Sequence, residues 1–370
     1  MNIKCNARFF LLALIVAGAN VRAGAAGMPA LPAMPGTGPL RPPTNPDVFR
    51  FLVAGDNRPS NALANLSVTV TNIFQQASNH AVNLVIWTGD TIYGKETNAA
   101  IVANEYRSFF ALAKLGGAPV FNAPGNHEMD VEIKTATERF EVGSPVMQSL
   151  YRENFKLGRN APLWGAFNYG NSRFIALNSE EIPPKGFLNE RPPATPKKSA
   201  SADEKDKKPK LNPGYLSKEQ LKALQKDLDA NADKSHIFIF MHHPVFAAAP
   251  TSQLDAQSAG ALTNLFMRHP NVSFVLAGHQ HLFYNPQDPS NVTNIPPRID
   301  PSDRPYYLVS GGGGAPLAKN FPGSFNHYLI FDVNSNVVTA TLYKDVAQQA
   351  RPAAKAAKAA PSVSAETPRP

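Results

Sequence analysis

Five short apolar runs, each of strand length and each ending in residues of metal-binding type, constrain this chain more than any other feature. Phe51-Leu52-Val53-Ala54 leads into Gly55-Asp56, and Leu84-Val85-Ile86-Trp87-Thr88 leads into Gly89-Asp90. Pro119-Val120-Phe121 precedes Gly125-Asn126-His127-Glu128. Ile237-Phe238-Ile239-Phe240-Met241 runs into His242-His243-Pro244, and the run Val272 to Ala277 into Gly278-His279-Gln280-His281. Open α/β sheets gather their ligands outside the carboxyl ends of their strands, and the polar residues follow the strands here.

Between the runs the apolar period changes. Leu63, Leu66, Val70, Ile73 and Phe74 recur at helical spacing and predict a helix near 60–78. Ile101, Tyr106, Phe109, Phe110 and Leu112 predict another near 99–115. Further helices are expected at 144–156, at 255–269, and at 217–231, where Ser217 is the N-cap and Gln220 holds the capping-box position. Phe167-Asn168-Tyr169 and Arg173 to Asn178 flank Gly170-Asn171 and read as a hairpin. Residues 305–310, 327–333 and 336–343 are strand-like. Strand, loop with a site residue, then helix is the order that βαβ units and a parallel sheet require. The body is one α/β domain, about 47–345.

The flanks read differently. Lys4 and Arg8, the apolar segment Phe9 to Ala19 and the small-residue site Val21-Arg22-Ala23 form a secretory signal over 1–23. That apolar segment, ~11 residues, is short of a membrane span, so the expected product is secreted or periplasmic with no transmembrane span. Residues 24–46 hold Pro29, Pro32, Pro35, Pro39, Pro42, Pro43 and Pro46, and predict a stiff, extended linker without a core. An insertion near 183–213 and an Ala/Lys/Pro tail over 346–370 are too polar to bury and are expected to be disordered.

The formal charge of +8 sits in these flanks. Lys4, Arg8 and Arg22 leave with the signal, and 191–210 and the tail together carry more than the remaining excess, which leaves the core slightly negative, so no nucleic-acid-binding face is expected on the body. The one cysteine, Cys5, precedes the cleavage point. A mature chain without thiols excludes cysteine catalysis, disulfides and thiolate metal sites.

The remaining polar set consists of carboxylates, a carboxamide and imidazoles. Oxygen and imidazole donors suit hard or borderline cations, and there are more of them than one four-coordinate ion needs. Two cations sharing a carboxylate use the set fully, can generate hydroxide at neutral pH, and clamp the oxygens of an in-line displacement. A phosphate ester is the natural substrate for such a pair, with an imidazole nearby to protonate the leaving oxygen.

Taken in order, Gly55-Asp56, Gly89-Asp90, Gly125-Asn126-His127-Glu128, His242-His243-Pro244 and Gly278-His279-Gln280-His281 resemble the signature of the calcineurin-like metallophosphoesterases. The resemblance covers essentially the whole body. It implies a four-layer α/β/β/α sandwich of two mixed β-sheets with the active site at the strand carboxyl ends. It implies that Asp90 bridges two metal ions, that Asn126, His242 and His279 complete one site, and that Asp56 and His281 serve the other. His127 would face the substrate phosphate and help protonate the leaving group; beside the resemblance, Arg58 is read from its own chemistry as a catalytic, phosphate-facing cation, and Asn126 and His243 as further substrate contacts.

One departure bears on the metals. Many family members carry Asp-x-His at the first motif, and here the residues are Asp56-Asn57-Arg58. The purple acid phosphatase branch also lacks that His and uses a Tyr three residues after the bridging Asp, where this chain has Tyr93. If Tyr93 coordinates, the pair is Fe(III) with divalent Fe, Zn or Mn. If it only packs, two divalent ions such as Mn or Zn are expected. Arg58 either grips phosphate through its guanidinium or forms a salt bridge to a loop carboxylate. Gly311 to Gly314 either cradles an anion or allows close approach between sheets. His243 either lines the pocket or stands behind the ligands, and Glu128 supports the loop of Asn126 and His127. His80, His236, His269 and His327 have no site context, and Trp87 and Trp164 read as core.

The expected function is an exported phosphoesterase that uses two metals to hydrolyse small phosphate esters, above all phosphomonoesters, by attack of a metal-bound hydroxide. The rivals are a phosphodiesterase or nucleotidase of the same family, and a binding protein that kept the fold without turnover.

Overall fold

The computed structural model describes residues 31–62, 64–134, 139–184, 213–291, 295 and 304–344. The expected signal, nearly all of the polar insertion and the tail lie outside these residues. In chain order the first half comprises β1 (Val48–Ala54), α1 (Val68–Asn79), β2 (Leu84–Trp87), α2 (Ala99–Ala113), β3 (Val120–Asn122), α3 (Asn126–Met129), β4 (Asp130–Lys134), β5 (Arg139–Gly143) and α4 (Pro145–Asn154). The second comprises β6 (Gly165–Tyr169), β7 (Ser172–Ala176), α5 (Lys218–Ala230), β8 (His236–Phe240), α6 (Ala256–Met267), β9 (Val272–Ala277), β10 (Phe283–Tyr284), β11 (Tyr306–Ser310), β12 (His327–Asn334) and β13 (Val337–Lys344).

One sheet has the order β13-β12-β1-β2-β3 and the other β10-β11-β9-β8-β7-β6. Each mixes parallel and antiparallel pairs: β1 runs parallel to β2 and antiparallel to β12, and β8 runs parallel to both β7 and β9. Most of these strands are buried on both faces, so successive side chains enter different cores. From β1, Phe51 and Val53 face the inner core with Phe174, Phe238, Phe274 and Phe331. The Phe51 ring meets Phe238 edge-on at 4.9 Å and stacks on Phe331 at 4.7 Å. Leu52 and Ala54 face the other way, onto Val70, Ile73 and Phe74 of α1, with Phe109 of α2 in the same layer. Across the molecule, Ile237 and Ile239 of β8 face Leu224 and Leu228 of α5 and Leu262 and Phe266 of α6. The result is the four-layer α/β/β/α sandwich that the resemblance implied.

The differences from the sequence reading are local and have physical causes. The first helix begins at Val68 rather than near 60, because Ser67 caps it by accepting the Thr69 N–H at 3.2 Å. At α5, Ser217 is the N-cap and accepts from Gln220 N–H at 3.2 Å, but the Gln220 side chain does not close a capping box. It turns instead to Asn178 O and Glu181. The antiparallel pair β4–β5 was not expected, although Asp130-Val131-Glu132-Ile133-Lys134 and Arg139-Phe140-Glu141-Val142-Gly143 alternate polar and apolar residues as half-buried strands do.

The proline-rich segment is the largest correction. Its described part, from Leu31, is extended but not coreless. Leu31 is buried in the outer core beside Ala166, and Ala166 N–H donates to Pro32 O at 2.9 Å. Thr37 N–H donates to Val120 O at 3.0 Å, and Val120 N–H returns a bond to Thr37 Oγ1 at 3.0 Å. β6 and β3 are the edge strands of the two sheets. The segment therefore covers one edge of each, which hides backbone groups that would otherwise invite pairing.

Candidate metal centre

The carboxyl ends of β1, β2, β8 and β9 meet between the sheets, laced by backbone hydrogen bonds. Asp56 N–H donates to Gly89 O at 3.0 Å, Asn57 N–H to Asp90 O at 3.1 Å, and Gly278 N–H to His242 O at 3.0 Å. Gly278 has no room for a side chain, since a Cβ there would lie 2.3 Å from Asp56 Oδ2 and 2.8 Å from Thr88 Oγ1. The Gly311–Gly314 run serves the close approach between sheets. Gly313 N–H donates to Gly55 O at 2.8 Å, and a Cβ on Gly313 would sit 2.2 Å from that oxygen.

Asp56, Asp90, His279 and His281 all hold positive φ, at 58°, 56°, 71° and 49°. A left-handed conformation at a non-glycine residue costs of order 1–3 kcal/mol and persists only where the surroundings impose it. Four such residues at one place mark a site organised for something other than stability.

Six side chains expected to bind metal converge here. Ligand atoms of Asp56, Asp90 and His242 lie within 4.8 Å of one another. His242 Nδ1 donates to Thr88 O at 2.8 Å, which leaves Nε2 of the neutral imidazole with a bare lone pair. That lone pair faces Asn126 Oδ1 at 3.1 Å, His279 Nδ1 at 3.1 Å and Asp90 Oδ1 at 3.3 Å. His281 repeats the arrangement: Nδ1 donates to Pro316 O at 2.7 Å, and Nε2 faces Asp56 Oδ1 at 3.5 Å. The Asn126 and Asp90 oxygens turned toward the His242 lone pair cannot satisfy it, and they call for a positively charged partner. A cation is such a partner, and this donor set fits divalent metals.

Electrostatics point the same way. Burial, reinforced by the Asp90 charge, raises the Asp56 carboxyl well above the ordinary carboxylate range. Burial would raise Asp90 too, but the charge of Arg58, and of His242, His127 and His281 whenever those rings carry a second proton, holds it far below that range. Two buried carboxylates this close resist ionising together unless positive charge is placed between them. Burial also lowers His279 and His281, the latter to about 4, which keeps both rings neutral and able to ligate.

Around this centre is a cavity of about 260 Å³ lined by Arg58, Asp90, Lys95, Asn126, His127, Glu141, Thr251, Ser252, His279 and His281. Arg58 Nε lies 3.5 Å from Asp90 Oδ2, so Arg58 both borders the cavity and pairs with a loop carboxylate. His127 donates its backbone N–H to Asp90 Oδ1 at 3.1 Å and its Nδ1 contacts Tyr93 O. Burial lowers its imidazole to about 3, with Asp90 opposing and Arg58 and Lys95 adding to the effect. Glu128 does more than steady its own loop: it accepts from Gly125, Asp90 and Thr91 N–H and from Thr91 Oγ1, tying the loops after β2 and β3 together.

One expected residue stands elsewhere. His243, expected at the substrate, is fully buried behind His279, with ring centroids 3.9 Å apart and Nδ1 2.5 Å from Glu180 Oε1. The chain direction after β8 turns consecutive side chains to opposite sides, so His242 and not His243 faces Asn126 and Asp90. Tyr93 lays its ring edge-on against His127 at 5.7 Å and is not among the cavity-lining residues. His236 and His327 are satisfied by Ser273 and Ser335 O, and by Ser310 and Phe325 O, as residues without a site role.

Sequence reasoning missed Lys95, Glu141, Thr251, Ser252 and Gln280. Gln280 lies between the two histidines, accepts from Ala248 N–H at 2.8 Å and donates to Ala249 O at 3.2 Å. It thereby holds the loop that carries Thr251 and Ser252. Its position inside His279-Gln280-His281 was the one signal that could have revealed it.

No curated protein sequence matches this chain. Among solved structures the fold is similar to purple acid phosphatase PPD1 from yellow lupin (Lupinus luteus) seeds, with a TM-score of 0.55 and 15% identity over 83% of this chain and 53% of the lupin chain. This chain thus spans about half the length of that protein. It is also similar to a dimetal phosphatase from Danio rerio, with a TM-score of 0.50 and 16% identity over 80% of this chain and 99% of that one. Identities this low speak to the fold alone. The calcineurin-like phosphoesterase family model matches residues 49–283, from β1 through β10, and includes every residue of the convergent set. With that match over more than half its length, this chain belongs to the calcineurin-like phosphoesterase family.

Proposed function

We propose that this chain is an exported phosphoesterase that hydrolyses phosphomonoesters with two cations, Asp90 bridging them, Asn126, His242 and His279 completing one site and Asp56 and His281 the other. The observation that carries the reading is the lone pair of His242 Nε2, faced by the oxygens of Asn126 and Asp90 with the His279 ring beside them. When bound, the cations would supply charge neutralisation for the phosphate and an activated water. Arg58 borders the same cavity and offers the phosphate a guanidinium.

His127 is the candidate proton donor. Its Nδ1 is engaged by Tyr93 O, so its other nitrogen handles the transferred proton. Burial keeps the free ring neutral, and a dianionic phosphate beside it would raise its proton affinity in the complex. The proton is therefore loaded by substrate and passed to the leaving oxygen. The packing of Tyr93 on His127 supports two divalent ions, such as Mn or Zn, over a tyrosinate–iron pair.

The test uses the mature protein, with metal content, visible absorption and turnover of p-nitrophenyl phosphate and its bis-ester measured together. Two divalent ions, no tyrosinate–iron band and preference for the monoester are expected. A faster diester reaction would move the assignment to a phosphodiesterase, and no turnover with metal bound would leave a binding protein. His127→Ala is expected to lower kcat about 10²–10⁴-fold with metal content unchanged. Unchanged kcat would remove His127 from the chemistry. Export predicts that the secreted product starts after Ala23.

A further inference from the structure

Asn126 can serve a cation only through its oxygen. Its carboxamide could be turned either way, and the competing orientation is attractive locally. With Nδ2 toward the centre, the amide would donate to the His242 Nε2 lone pair and relieve the crowding of acceptors there. Such a self-satisfied cluster would close the cation position. The structure has the opposite arrangement, Oδ1 at 3.1 Å from His242 Nε2 and Nδ2 donating to Glu141 Oε2 at 3.1 Å.

Glu141 is itself held. Its other oxygen, Oε1, lies 2.6 Å from Lys95 Nζ, with side-chain exposures of only 9% for Lys95 and 13% for Glu141. Lys95 is fixed in turn: its φ is 56° and its N–H donates to His127 O at 3.2 Å. A largely buried ion pair is weak evidence for stability, since desolvation offsets most of the attraction. It is a strong device for orientation, because a carboxylate accepts and never donates.

We propose that the Glu141 carboxylate, held in place by Lys95, is a positioning residue that sets the Asn126 carboxamide with its oxygen toward the cation. Turning the amide over would set Asn126 Oδ1 against Glu141 Oε2, acceptor against acceptor, and lose a charge-assisted hydrogen bond. The pair thus selects the binding-competent orientation before any cation arrives. This rests on the reading of Asn126 as a metal ligand.

The experiment is a calorimetric titration of chelator-treated mature protein with Mn²⁺, with thermal unfolding followed in parallel. Glu141→Gln offers an amide N–H₂ that pairs with Asn126 Oδ1 and so favours the turned-over orientation. It is expected to weaken Mn²⁺ binding about 10–100-fold, as loss of an outer partner of a metal ligand does. The double variant N126D/E141Q restores the logic in reverse, since a carboxylate at 126 has oxygen on both sides and the glutamine donates to one of them. Its affinity is expected to return to within about threefold of wild type, the signature of a pairwise interaction. A purely structural role for Glu141 would not be rescued this way. Wild-type affinity in E141Q, or no recovery in the double variant, overturns the positioning role. Wild-type protein that takes up no Mn²⁺ would instead bring down the metal reading itself, and this inference with it.

Discussion

Asn in place of Asp90 is expected to stop turnover and to weaken cation uptake at both proposed positions together. Asp90 is buried, faces His242 Nε2 at 3.3 Å and Arg58 Nε at 3.5 Å, and accepts His127 N–H at 3.1 Å. The substitution keeps size and shape while removing the charge shared by the proposed pair. Loss of several kcal/mol of transition-state stabilisation corresponds to roughly 10³–10⁵-fold in kcat. Elemental analysis of Asp90→Asn is expected to show both ions depleted, whereas a substitution at Asp56 should spare one site more than the other. A second readout is independent of catalysis. Asp90 is one of the charges that raise the Asp56 carboxyl, so Asp56 in the metal-free variant should titrate closer to its ordinary range by NMR. An Asp90→Asn protein that keeps two ions and full activity would end the bridging assignment.

Metal-free protein is expected to lose stability as pH rises from about 6.5 to 8. Burial, with nearby carboxylates, raises Asp130 to about 8 and Glu128 to about 7, and burial raises Glu105 to about 7. A carboxyl whose folded pKa exceeds its unfolded one keeps its proton longer in the folded state. Its stabilisation is complete below the unfolded pKa and disappears as pH climbs through the folded one.

Buried histidines act in the opposite direction. His127, at about 3, and His281 and His327, at about 4, are lowered chiefly by burial, so unfolding takes up protons below their ordinary range near 6.5. Below about pH 6.5 the two groups oppose each other. Above it only the carboxyls still titrate, each contributing a slope of about 1.36 kcal/mol per pH unit while it retains its proton. Urea unfolding of chelator-treated protein at pH 6.5 and 8 measures this directly. Saturating metal should raise stability at both values and reduce the slope, since ligated Asp56 no longer holds a proton. Stability that is flat or rising over this interval without metal would contradict the burial of these carboxyls.

The strands and the polar residues that follow them were legible because both properties are local. An apolar run of strand length followed by Gly-Asp, or by His-Gln-His, declares a strand and a ligand within a few residues. Asp56, Asp90, Asn126, His242, His279 and His281 could be named for that reason. Lys95 and Glu141 could not, because their significance lies in a contact between distant parts of the chain. Lys95 belongs to the loop after β2, and Glu141 to a hairpin whose polar/apolar alternation marks strands but does not say which distant loop they meet. His243 illustrates the opposite failure. Its neighbour His242 faces Asn126 and Asp90, and only the direction of the backbone after β8 shows that His243 faces Glu180. Prolines 32 and 35 suggested a free linker, yet backbone hydrogen bonds from that segment reach strands β6 and β3.

The amino-acid order by itself determined the alternation of strands and helices and the identity of the side chains at the strand ends, while the two-sheet architecture was implied by the family resemblance. Tertiary structure alone decided which lone pairs face one another, which residues take a left-handed backbone, and which carboxylate turns the Asn126 amide. Hydrophobic periodicity survives in the chain as a one-dimensional pattern. Acceptor geometry and burial are relations among distant residues, and they exist only once the sheets have closed on one another.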